Sequence, residues 1–177
     1  SMEDSLRELI RKLRESVKRS AEELRRLNKR VEDSIRDSAR KLRELIRRVE
    51  EVVKEVVETR GRTDKVDRIK KKVDDLREKL ERLIRESEEL LERHVEKTRR
   101  VIERSKEELD KVEEDLRRRE ARERVEDDVR RIDDENRRLL EELKKSVDEL
   151  DKRNEELLRR AEKEVRDLLR EIREAMR

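Results

Sequence analysis

From Ser5 onward the apolar residues fall into columns that recur every eighteen residues. SLRELIRKLRESVKRSAE from Ser5, ELRRLNKRVEDSIRDSAR from Glu23 and KLRELIRRVEEVVKEVVE from Lys41 align Leu6 with Leu24 and Leu42, Leu13 with Val31 and Val49, and Val17 with Ile35 and Val53. Blocks from Lys65, Leu83 and Val101 stack Val66, Ile84 and Ile102, then Val73, Leu91 and Leu109. Blocks from Arg122, Leu140 and Leu158 stack Val129, Val147 and Val165 beside Ile132, Leu150 and Leu168. Three helices of three repeats follow. Eighteen residues in five turns is the period of an unstrained α-helix, whereas a strict heptad imposes a left-handed supercoil. Stepping by seven from Leu6 reaches Leu13, Ser20, Leu27 and Ser34 but then Lys41 and Arg48, so the heptad fails. The helices are therefore expected to run straight, each block spanning roughly 80 Å at about 1.5 Å per residue.

Breaks in the pattern set the expected organisation, an all-α, antiparallel up-down-up three-helix bundle forming a single domain over residues 1–177. The helices are expected at about 4–59, 63–118 and 122–177. Thr59-Arg60-Gly61-Arg62-Thr63-Asp64 supplies a glycine stop and then Thr63 or Asp64 as an N-cap, which places the first turn near 60–62. Arg119-Glu120-Ala121-Arg122 has neither Gly, Pro nor a capping side chain. Phase places the second turn there nonetheless, near 119–121: Leu116 and Val125 are about two and a half turns apart, and an unbroken helix would throw its apolar stripe onto the opposite face. Ser1-Met2 reads as the remnant of a cleaved expression tag and is set aside from the fold.

Uncharged polar residues interrupt the apolar stripes, and they do so in register. With the first turn near residue 61, facing positions of the first two helices have numbers adding to about 122, as Asn28 with His94, Ser34 with Ser87 and Ser16 with Ser105 all nearly do. Facing positions of the second and third helices then add to about 240, met by His94 with Ser146, Ser87 with Asn154 and Ser105 with Asn136. Three layers result: Ser16, Ser20, Ser105 and Asn136; Asn28, His94, Thr98 and Ser146; and Ser34, Ser38, Ser87 and Asn154. The first and third are copies displaced by one repeat. A buried Ser, Asn or His without a partner costs about 1–3 kcal/mol, so grouping them lets each satisfy another and penalises slipped registers.

Composition sharpens this picture. Of 177 residues, 60% are charged and 30% hydrophobic, with no aromatic residue, no Pro and one Gly. Such charge with so little apolar content usually means disorder, but 55 basic and 52 acidic residues nearly cancel and the apolar ones are periodic. The core must be thin and built from Leu, Ile, Val and Ala. Without Cys there are no disulfides, thiolate sites or cysteine nucleophiles, and no apolar run is long enough for a transmembrane helix or signal peptide.

Candidate chemistry is sparse. His94 is the only histidine, and its layer offers Asn28, Thr98 and Ser146, a Ser–His pair on paper without an orienting acid, an oxyanion hole or a cleft. A satisfied network histidine is the reading favoured here; if it is buried and neutral, stability should fall as pH drops past about 6.5. Acid pairs such as Asp74-Asp75, Asp127-Asp128 and Asp133-Asp134 point in different directions on a helix and read as solvated, not as metal ligands. Lys70-Lys71-Lys72 and Arg117-Arg118-Arg119 lack aromatic stacking partners, and net charge is only +3, which argues against nucleic acid. Polar faces rich in both signs without Trp or Phe anchors argue against a membrane surface. No catalytic, cofactor or metal residues and no small-molecule substrate are expected. The chain is expected to be a soluble monomer, cytoplasmic on expression, with a homo-oligomer as the alternative.

Three long antiparallel helices resemble a spectrin-type repeat in architecture, without that family's heptads and buried Trp. Over its whole length the chain more closely resembles computationally designed helical bundles, with near-perfect repeats, a surface of Glu, Lys, Arg and Asp, no Gln, few Ala, and buried Ser/Asn/His groups repeated by layer. That resemblance implies high stability, a defined oligomeric state and no natural biochemical activity, with the polar layers specifying helix register. The other reading is a helical interaction module that self-associates or binds a partner helix through surplus apolar positions such as Leu45, Leu90, Val95 and Leu169.

Overall fold

The computed structural model of the protein describes residues 1–118 and 122–177, so the turn expected at 119–121 lies outside the described residues. Three helices make up the fold: α1 (Met2–Arg60), α2 (Asp64–Arg117) and α3 (Arg122–Ala175). They pack pairwise as an all-α three-helix bundle, with no strand among the described residues.

Local chemistry accounts for the described helix ends. Ser1 and Met2, set aside on sequence grounds, belong to the fold. The Asp4 amide donates to Ser1 Oγ at 3.3 Å while Ser1 Oγ donates to Asp4 Oδ2 at 3.0 Å, a reciprocal cap that starts α1 at Met2. At the other end Gly61 takes a φ of 74°, and its amide donates to the Val57 carbonyl at 2.9 Å. That left-handed residue stops α1, since a side chain there would be strained even though nothing lies within 4 Å of an added Cβ. Thr63, of the two capping candidates, accepts the Val66 amide on Oγ1 at 3.2 Å, and Asp64 and Asp67 place negative charge in the first turn of α2.

The chain divides into two compact units, residues 1–30 with 91–148, and 31–90 with 149–177. The first has a core cluster of ten buried residues: Leu6, Ile10, Leu13 and Val17 from α1, Leu109, Val112 and Leu116 from α2, and Val125, Val129 and Ile132 from α3. In the second, sixteen buried residues from Ala39 to Ile172 form a continuous cluster, with Leu45, Val52, Leu83, Leu158 and Leu169 packed against its margin. At about 1.5–3 kcal/mol for each fully buried large aliphatic side chain, these two clusters dominate the favourable side of folding.

Helix direction is fixed within each unit by contacts across helices. In the second, Arg60 at the end of α1 donates to the Met176 carbonyl beyond α3, while Lys72 and Lys79 of α2 pair with Glu171 and Glu164 of α3 at 2.5 and 2.8 Å. Residue numbers that rise on α2 fall on α3, so α2 is antiparallel to α3 and α1 runs parallel to it. In the first unit, Arg14 meets Asp110 and Glu113, and Lys144 meets Glu23 at 3.2 Å. Such exposed pairs contribute little each, about 0–1 kcal/mol, and act chiefly on alignment.

Candidate functional site

The polar layers occupy core columns. Asn28 stands between Ile10 and Ile46 in the eighteen-residue alignment of α1, and all three are buried. On α2, His94 stands between Leu76 and Val112, and Thr98 between Leu80 and Leu116, again buried throughout. Ser87 and Ser105 share the Ile69 column, and Asn136 and Asn154 share the Ile172 column. Each of these polar side chains therefore sits where the fold otherwise places Leu, Ile or Val. Ser38 is buried as well, while Ser16, Ser20, Ser34 and Ser146 are only half-buried at the margins of their layers.

Hydrogen bonding differs from layer to layer. In the third, Asn154 Nδ2 donates to Ser38 Oγ at 3.1 Å, tying α3 to α1. In the first, Ser105 Oγ lies 2.5 Å from Asn136 Oδ1 and 2.9 Å from the Val101 carbonyl, joining α2 to α3. One hydroxyl proton there faces two acceptors, while Asn136 Nδ2 is buried without a partner. Turning the amide would give Ser105 a donor but strand the Asn136 oxygen instead.

The middle layer is the least satisfied. Thr98 Oγ1 donates to the His94 carbonyl of its own helix at 2.9 Å rather than to another helix. Asn28 Oδ1 and His94 Nε2 are buried without a hydrogen-bond partner. The mutual satisfaction expected of this layer is thus not made between its side chains. Burial, and then the positive charge of Lys97, push the His94 pKa below its ordinary value, which favours the neutral imidazole.

Around these layers the surface is a mosaic of compensated charge. Arg14 bridges Asp110 and Glu113 at the rim of an open recess of about 350 Å³, and Arg43 grips Glu81 at the rim of another of about 370 Å³. The Arg43 guanidinium holds the Glu81 carboxyl below the usual carboxylate range. Among the described residues no group of three or more His, Cys, Asp or Glu is arranged to hold a metal ion, and no helix is long and apolar enough to cross a membrane. Of the surplus apolar positions, Val95 is exposed, while Leu45, Leu90 and Leu169 are half-buried, Leu45 and Leu169 against the second core. Leu9, aligned with Leu27 and Leu45, is also exposed.

No protein-family model matches the chain, and neither a curated protein nor a solved structure does.

Proposed function

We propose that the protein is a designed structural scaffold, without a natural biochemical function, whose buried polar layers specify the register of its helices. The observation that carries this reading is the placement of Ser, Asn, His and Thr in core columns, with Asn154–Ser38 and Ser105–Asn136 bonded across helices. An apolar side chain in each place would give a more hydrophobic core but one that tolerates a slip by a whole repeat, because the columns are alike every eighteen residues. A slip by one repeat can superpose the first layer on the third, but it sets Asn28 and His94 of the middle layer against apolar columns, at about 1–3 kcal/mol for each stranded group. The layers thereby trade stability for uniqueness.

Replacing the middle layer by apolar residues tests this: Asn28→Ile, His94→Leu and Thr98→Leu, each taken from its own column, together with Ser146→Val. The denaturation midpoint should rise, while light scattering and native mass spectrometry should show several species where the parent shows one. If the apolar variant remains a single species of the parent's mass, with the parent's cross-helix contacts by NMR, the layers do not specify register.

A further inference from the structure

Beside Asn154 in the second unit is a partly open cavity of about 10 Å³, ringed by Ser38, Ser87 and Asn154 and flanked by Leu42, Leu80 and Ile84 among others. That volume is about what one water molecule requires, and an internal water also needs two to four polar partners. The residues at this cavity have that capacity to spare. Asn154 spends one N–H on Ser38 Oγ, which leaves its Oδ1 and the Ser38 proton uncommitted. The Ser87 hydroxyl, on a side chain only 7% exposed, makes no hydrogen bond among the described residues. Its counterpart one repeat away behaves differently: Ser105 bonds both the Val101 carbonyl and Asn136.

We propose that this cavity is a binding site for one structural water molecule, which bridges Ser87 Oγ on α2, Asn154 Oδ1 on α3 and Ser38 Oγ on α1. The water accepts the Ser38 proton, donates to Asn154 Oδ1 and exchanges its remaining bond with Ser87. Three partners is the usual complement of a buried water. With it, the layer joins all three helices of its unit, where the direct Asn154–Ser38 bond joins only two. The surrounding Leu and Ile side chains offer no competing polar group.

Two measurements on the full chain decide the matter. A crystal structure of the parent at high resolution should show a water within about 3.2 Å of Ser87 Oγ and of Asn154 Oδ1. Density that leaves the cavity empty, or a Ser87 rotamer that fills it, overturns the proposal. In solution, oxygen-17 relaxation dispersion should count one long-lived water fewer in Ser87→Val than in the parent. The substitution fills the cavity, and the Ile69 column already accepts a branched side chain. An unchanged count in a variant of undiminished helicity overturns the proposal equally, and should the variant fail to fold, the parent crystal structure alone decides.

Discussion

Two copies of one polar layer, written with the same residue types eighteen positions apart, hydrogen-bond differently. In the first unit Asn136 meets Ser105 of α2 and leaves its own Nδ2 stranded, whereas in the second Asn154 meets Ser38 of α1. The serine of α1 that Asn154 reaches is buried, but its counterpart Ser20 is only half-buried. An asparagine carries two donors and an acceptor, and its layer presents serines on two other helices. Which serine it meets depends on shifts far smaller than a repeat. The first unit also holds the middle layer, with Asn28 Oδ1 and His94 Nε2 unpartnered. Three side chains of the first unit, Asn28, His94 and Asn136, hold a buried polar atom without a partner, against Asp151 in the second, so the polar groups of the first unit cost it more.

The largest expected effect comes from the first core. Leu109→Ala removes a side chain with no exposed surface and should cost about 3 kcal/mol, within the range for buried leucines. Native-state hydrogen exchange should then speed up most in residues 1–30 and 91–148 and less in 31–90 and 149–177. Uniform acceleration through both stretches would show that the chain opens only as a whole.

A smaller effect separates the two layer copies. Asn154→Ala breaks the bond to Ser38 and should lower stability by about 1–2 kcal/mol, whereas Asn136→Ala removes a side chain already half-stranded and should cost clearly less. Guanidinium midpoints at unchanged slope measure both. Equal losses would mean that the copies are equivalent in solution.

Smallest is the response of the middle layer to acid. Burial and Lys97 lower the His94 pKa, so the folded state binds fewer protons than the unfolded chain at pH values below about 6.5. Stability therefore falls as pH drops through that range, by at most about 1.4 kcal/mol per pH unit. The midpoint should be lower at pH 5 than at pH 7, and His94→Asn should flatten that difference. Identical pH responses in parent and variant would refute a buried neutral imidazole.

Much of this was legible in the residues. The eighteen-residue columns mark the faces that pack, as Leu6, Leu24 and Leu42 and then Val129, Val147 and Val165 show, all of them buried. Gly61 and Thr63 mark the first turn through conformational and capping preferences that act within a few residues. The layer residues most deeply buried, Asn28, His94, Thr98, Ser87, Ser105, Asn136 and Asn154, stand in columns that repetition alone reveals. What the letters did not disclose was how those groups pair. Thr98 turns back on its own helix, Ser16 and Ser146 stay at the margin, and the cavity beside Ser87 has no signature at all.

The sequence by itself determined the helices, the first turn and the faces that pack, because periodicity, capping and burial preference are properties of residue type at fixed spacing. Only the tertiary structure decided which asparagine meets which serine, which atoms stay without a partner and where a water-sized space remains. Hydrogen bonds live or die within about half an ångström, a distance set by side chains of three helices at once.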